Sequence, residues 1–502
     1  MTRALTSSTA MALVFLASGA WADVTPQEVW ASWQAMMTSA GQELTVGNTA
    51  DSGQAVEVTD LAVTYKDQMG GSASISLDKL AFKDNGDGTV TVTMPDSYPV
   101  QMAFPDKGEG PGSIKLTVSQ PGVVIVAGGS AGETSYKFTA PTMTITLDEV
   151  TDHSGKMLDT KGDLALGEVA GAYLMTKTGE TMGLDSTFTA KSAVFNLSGS
   201  DGEDGGSGKV SVSFADLSGA TKGNFLNPEM MANMALALNS GFTMDTSFSF
   251  GAMAMDFDII QAQGPTKLVA NATGGSFVLA MNKDRMTYGS SLDGAKFTIS
   301  GAEIPFPQVE LAFAESGFNV VMPVTKSDTP QDFAFLTKVV DFTVSEDIWG
   351  LFDPAGTLAR DPATFIVDLK GTGFWKQDIM DPSVQMEGAT PPGELHSLDL
   401  TQVLAKAAGA EVSATGGLTF DNSDLATFGG VPRPDGKVTV NIKGVTKLVD
   451  NLIALGILSQ DDAMGFRMGL AMFAKPGAGP DELVSEIEFK EGGFFANGMR
   501  MQ

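Results

Sequence analysis

Apolar and polar residues alternate with a period of two along most of this chain. Met143, Ile145 and Leu147 alternate with Thr142, Thr144 and Thr146. The same pattern recurs at Phe277/Leu279/Met281, Val309/Leu311/Phe313, Phe318/Val320/Met322, Phe365/Val367/Leu369 and Val438/Val440/Ile442. Successive side chains of a strand point to opposite faces, so each run predicts a half-buried strand. The longest instance passes through Phe242, Met244, Phe248 and Phe250, then resumes as Met253, Met255, Phe257 and Ile259. Its parity changes at Gly251-Ala252, which predicts a bulge or tight turn there. Turn signals at Asn85-Gly86-Asp87-Gly88, Gly128-Gly129 and Gly274-Gly275, with a long loop over 198–208, separate the runs. Strands this close cannot cross over through helices. The reading is therefore a mainly β protein (β-rich α+β) of antiparallel meander sheets with a few packing helices.

The helices are marked by caps. Thr25 with Glu28 forms a capping box, Pro26 takes the first helical position, and Gly41 ends the segment. Asn227-Pro228 opens a second helix that runs to Ser240-Gly241, and further helices are expected over about 445–455 and 460–474. The first two share a layout: N-cap and Pro, a Met-rich stripe, a small residue with Gly, then strands. That layout suggests a duplicated helix-plus-meander unit. The expected organisation is a leader over 1–22, a helix plus antiparallel β domain over 23–225 and a second such domain over 226–415. A strand-helix-helix-strand segment over 416–502 is expected to pack on the second domain.

The leader is read from Arg3, the apolar run 10–17 and the small-x-small triplet Ala20-Trp21-Ala22. Together they predict cleavage after Ala22, a mature chain beginning at Asp23, and a periplasmic location. The apolar run is too short to span a bilayer, and no later window predicts a transmembrane helix. Cysteine is absent, which excludes disulfides, thiolate catalysis and a lipid-modified cysteine. With 31 basic against 60 acidic residues the net charge is -29, which repels nucleic acid and anionic lipid headgroups.

Catalytic signals are sparse. The two histidines, His153 and His396, both fall among turn residues, and no nucleophile elbow, zinc-binding helix, phosphate loop or dinucleotide fingerprint appears. Asp84-Asn85-Gly86-Asp87-Gly88 echoes a calcium loop, but a strand follows at once, so a hairpin turn is expected. No cofactor and no metal site is expected. Two places are candidate binding residues. One is Trp349, Asp353, Arg360 and Asp361, where an arginine between Asp-Pro steps either locks a loop over Trp349 and Phe352, with Trp375 near, or anchors a partner. The other is Met255 and Phe257 on the long one-faced strand, which line either a closed core or an open apolar groove.

From Pro323 onward the chain resembles a family of exported alphaproteobacterial proteins known only as a domain of unknown function. The likeness is carried by Trp349, Asp353-Pro354, Arg360-Asp361-Pro362-Ala363 and Gly416-Gly417-Leu418-Thr419-Phe420-Asp421-Asn422. It continues through Pro432-Arg433-Pro434-Asp435-Gly436 and Ala496-Asn497-Gly498. The resemblance implies a periplasmic location and a β-rich fold, and carries no activity. The architecture is also similar to that of AsmA-like envelope proteins, whose folded-over sheets make apolar grooves that handle lipid. Those proteins normally keep an N-terminal anchor, whereas the leader here is expected to be cleaved. The leading expectation is a non-catalytic, envelope-associated periplasmic protein that binds an apolar or lipid ligand. The alternatives are a scaffold that binds another envelope protein and a carboxylate-dependent hydrolase, for which no carboxylate pair stands out.

Overall fold

The computed structural model describes residues 24–39, 41–66, 70–105, 110–130, 132–179, 181–200, 205–226, 228–384 and 392–502. The expected leader and its cleavage site lie outside the described residues. Helix α1 (Pro26–Ser39) closes the expected capping box. Thr25 N–H donates to Glu28 Oε2 at 2.9 Å, and Glu28 N–H donates to Thr25 Oγ1 at 3.2 Å.

Among the described residues 26 strands join one antiparallel sheet, and each row bonds to the rows next to it in sequence. β1 (Gln42–Asp51), β2 (Ala55–Lys66) and β3 (Ser72–Asp84) come first. The next row is broken into β4 (Val90–Thr93) and β5 (Ser97–Ala103), both paired with β3. Beside it runs another broken row, β6 (Ser113–Ser119) and β7 (Val124–Ser130), both paired with β8 (Glu133–Thr151). Three long rows follow: β9 (Asp159–Thr178), β10 (Thr181–Ser200) and β11 (Ser207–Phe225). Two short helices, α2 (Pro228–Met231) and α3 (Met234–Asn239), precede β12 (Thr243–Phe250) and β13 (Met253–Gln261), which both pair with β11. β14 (Gly264–Ala272) and β15 (Gly274–Met281) likewise share β16 (Met286–Gly301).

The meander continues through β17 (Val309–Met322), β18 (Gln331–Val344), the short α4 (Glu346–Gly350) and β19 (Ala363–Trp375). After β20 (Gly393–Ala407), β21 (Ala410–Asp421) and β22 (Arg433–Lys443) come α5 (Val445–Ala454) and α6 (Gln460–Phe473). β23 (Lys475–Pro476), β24 (Glu482–Lys490), β25 (Gly493–Ala496) and β26 (Met499–Arg500) end the chain. β1 pairs only with β2 and β26 only with β25, so among the described residues the sheet does not close on itself.

A crease runs across the rows. Apolar side chains spaced by two along each strand jump by three at Ala140/Met143, Leu166/Val169, Ala190/Ala193 and Phe214/Leu217, and all eight join one cluster. The crease residues on β9, β11, β16 and β18 take positive φ: Glu168 at 49°, Asp216 at 52°, Gly294 at 57° and Asp341 at 54°. The pairing register is unchanged across Glu168, Asp216 and Gly294, so these residues kink the strand in place and turn the next apolar residue back to the inner face. The expected parity change at Gly251-Ala252 is the same feature: β12 stops at Phe250 and β13 begins at Met253, while Gly251 N–H bonds Ala215 O at 2.8 Å.

Several local readings need correction. The second helix is broken at Ala232-Asn233, because Asn233 caps α3 by accepting from Leu236 N–H. The loop over 198–208 is shorter, since Ser198, Gly199 and Ser200 pair with Lys209, Gly208 and Ser207. Gly128 and Gly129 lie inside β7 rather than in a turn, and His396 lies inside β20. The hairpin expected at Asp84–Gly88 is present, with Asn85 N–H bonded to Thr89 O.

Candidate functional site

Directly opposed residues in an antiparallel pair share a face, so the register alone shows what each face carries. Starting on β2, one row reads Val56, Phe82, Val92, Ile125, Phe138, Gly171, Phe188, Gly219, Phe248 and Phe277. It continues through Ser290, Phe318, Thr337, Val367 and Val403 to Ala414 and Val440. On the other side of the crease a second row reads Tyr98, Val118, Ile145, Leu164, Phe195, Val212, Met255, Ala270, Phe297, Leu311 and Val344. The crease cluster joins the two sides, so both rows belong to one apolar inner face.

The opposite face is polar and stitched by cross-strand ion pairs. Asp185–Lys222 (3.2 Å), Lys115–Glu149 (2.9 Å) and Asp258–Lys267 (3.5 Å) are direct cross-strand partners. These exposed pairs each contribute little to stability. They do fix which face of the sheet meets water.

Helices cover the inner face only in places. At one end α1 lays Val29, Trp30 and Trp33 on Leu61, Leu80 and Phe82, with both indoles about 5.5 Å from the Phe82 ring. The short helices α2 and α3 pack Ala237 and Leu238 against Phe242, Met281 and Val324. Near the other end α5 sets Val445 and Val449 against Ala410 and Ile442. Between these covers the inner rows stay open. Phe248 is 37% exposed, Phe195 38%, Phe318 38% and Phe365 49%, whereas Phe82 beneath α1 is fully buried. Burying a phenylalanine is worth about 1.5–3 kcal/mol, so a row of half-exposed rings leaves much of that stabilisation unrealised.

The rings form an aromatic ladder. Phe277–Tyr288, Tyr288–Phe318 and Phe318–Phe335 meet edge to face at 5.5, 5.8 and 5.8 Å between centroids. Others lie over glycines of the next strand: a Cβ on Gly171 would come within 2.3 Å of Phe138 Cε1, and one on Gly275 within 2.4 Å of Phe250 Cζ. Three cavities open along this face. One of about 370 Å³ is flanked by Phe138, Phe188 and Phe248. One of about 420 Å³ lies by Phe333, Phe335 and Trp375. One of about 450 Å³ lies between Val339, Phe365, Val412 and Leu448.

Met255 and Phe257, singled out from the sequence, sit in this strip, half-buried on β13 opposite Val212 and Val210. Sequence reading placed Phe248 and Phe318 on half-buried strands but did not join them with Phe138, Phe188 and Phe335 into one strip. The missed signal is Phe facing Gly or a small residue on successive strands, which appears only once the register is known.

The other candidate cluster is a locked loop between β18 and β19. Asp353 is fully buried and accepts from Thr357 N–H and Leu358 N–H, both at 2.8 Å. Arg360 reaches Asp353 Oδ2 at 3.2 Å and Asp353 O at 3.0 Å, and its guanidinium stacks 4.6 Å over the Trp349 ring. Burial pushes the Asp353 carboxyl up, but the two backbone donors and Arg360 outweigh it and hold it below the usual carboxylate range. The arginine's second ion pair is with Glu346, not Asp361, which is exposed. Trp375 stands at the far end of β19 and donates instead to Pro323 O at 2.6 Å.

His153 lies in a turn and meets Gly110 O at 2.9 Å. His396 stacks on Phe374 at 5.5 Å beside Glu394.

The model of a family described as an uncharacterized protein conserved in bacteria (DUF2125) matches residues 230–501, more than half of the chain. The chain belongs to this family. The match begins in the helices before β12 and takes in the locked loop and the second half of the inner rows. No curated protein and no solved structure matches the chain.

Proposed function

We propose that this chain is a non-catalytic binding protein of the bacterial envelope, and that its open inner strip cradles an extended apolar ligand such as an acyl chain. One observation carries the reading. Apolar residues face the same side on strand after strand, yet Phe195, Phe248, Phe318 and Phe365 remain more than one-third exposed. A sheet folded for its own stability would close over such rings. An exposed apolar strip of this extent marks a binding surface. The rings and methionines along it can adapt to an occupant of variable shape.

The location is part of the proposal and rests on the apolar run 10–17 and Ala20-Trp21-Ala22. Titration of the mature protein with a fluorescent fatty acid tests the binding. Saturable uptake that an unlabelled acyl chain displaces is expected. Absence of saturable binding to any acyl probe would retire the proposal.

A further inference from the structure

One stretch of the inner face departs from an all-apolar lining. Ser186, Thr221 and Thr246 are opposed to one another on β10, β11 and β12, two residues along from Phe188, Gly219 and Phe248, and so on the same face. Ser186 Oγ donates to the Thr221 carbonyl at 3.4 Å, and Thr246 Oγ1 donates to Thr221 Oγ1 at 3.3 Å. Thr221's own hydroxyl proton has no acceptor among the described residues. The Thr246–Thr221 hydroxyl pair thus ends on a donor, polarised by the bond it accepts, in the wall of the cavity of about 370 Å³ that Ser186 also lines.

No charged side chain stands in these two rows. The ion pairs nearby, Asp185–Lys222 and Lys191–Asp216, alternate with them and belong to the other face or the crease. A carboxylate or phosphate placed here would shed water against aromatic walls and find no cation. A neutral carbonyl needs only one donor, and Thr221 supplies it.

We infer that Ser186, Thr221 and Thr246 form a subsite for the uncharged ester carbonyl of an acyl ligand. Its hydrocarbon lies over Gly219 between Phe188 and Phe248. This rests on the reading of the strip as a ligand groove.

The test titrates three probes into the mature protein: a fluorescent monoacylglycerol, the matching free fatty acid at neutral pH, and diphenylhexatriene, which has no polar group. Valine keeps threonine's shape and suits a strand, so Thr221→Val and Thr221→Val with Thr246→Val are the variants, with unfolding curves to confirm the fold. The ester is expected to bind more tightly than the carboxylate. Thr221→Val should weaken the ester about five- to tenfold, the effect of one hydrogen bond, and leave diphenylhexatriene unchanged. Equal binding of ester and carboxylate overturns the inference while leaving the groove intact. So does a Thr221→Val effect that is nil, or the same for all probes. If none of the probes binds the wild-type protein, the groove reading itself fails.

Discussion

Filling the groove at Gly219 should separate stability from binding. Gly219 sits between Phe188 and Phe248, and a Cβ there would meet Ser247 O at 3.6 Å and Phe248 Cδ2 at 3.7 Å, both ordinary contacts. The Cβ of Gly219→Leu therefore enters without strain, and the rest of the side chain projects into the cavity. Replacing a glycine inside a strand gains about 0.5–1 kcal/mol by restricting the unfolded chain. Leucine adds four carbons. At roughly the 30 Å³ that one water occupies, they fill about 120 Å³, close to a third of the cavity of about 370 Å³. Affinity for a fluorescent acyl probe is expected to fall at least about tenfold, while the urea midpoint holds or rises. Gly171→Leu is the contrast. Its Cβ would lie 2.3 Å from Phe138 Cε1 and 3.0 Å from Thr187 O, so ring and backbone must shift at a cost of about 1–3 kcal/mol. If Gly219→Leu destabilises as much as Gly171→Leu, the site is packed core. If it leaves binding intact, the ligand does not lie there.

Four further outcomes can be checked. Phe82→Ala, beneath α1, should cost about 3–5 kcal/mol by urea unfolding, and Phe257→Ala at most about 2 kcal/mol, because no enclosed cavity is left in the open strip. Arg360→Ala removes the cation over Trp349 and one charged hydrogen bond to the locked loop. A loss of about 1.5–3 kcal/mol is expected, and unchanged melting would show that the loop is held by backbone donors alone. Asp421 is held down to about 2 by Ser423 and then Arg433. A depressed carboxyl stabilises the fold above its ordinary range and loses that contribution as pH falls from about 4 toward 2, so Asp421→Asn should flatten that part of an acid-unfolding curve. The proposed cleavage predicts that N-terminal sequencing of the protein from a periplasmic fraction begins at Asp23, and an intact N-terminus in the inner membrane would contradict it.

Period and parity made the strands readable in advance. Met143, Ile145 and Leu147 lie on β8, and Met253 to Ile259 on β13, because alternation is a property of one strand by itself. The groove depends on pairing between strands. Nothing in the run around Phe188 says that Gly171 and Gly219 flank it, since that follows from the ladders that begin at Thr178–Thr181 and Ser200–Ser207. The second of those ladders was obscured by a Ser-Gly-Asp stretch that reads as a long loop. There, ladder hydrogen bonds outweigh the weak strand preference of Ser198, Gly199 and Ser200. The crease hides for a similar reason: Glu168 and Asp216 look like ordinary polar strand positions until their positive φ is seen. Pro391-Pro392-Gly393 reads as a loop leading to His396, yet β20 begins at Gly393 and takes His396 into the sheet.

The most direct measurement places a photo-crosslinking benzophenone side chain at Phe248 or Phe318 on the inner face, and at Lys222 on the ion-paired face, in protein expressed in its native cells. Mass spectrometry of the irradiated protein reads what each position touches. An open acyl-binding strip predicts lipid adducts at Phe248 and Phe318 and none at Lys222. Adducts absent from both inner positions, or equally frequent at Lys222, would contradict it.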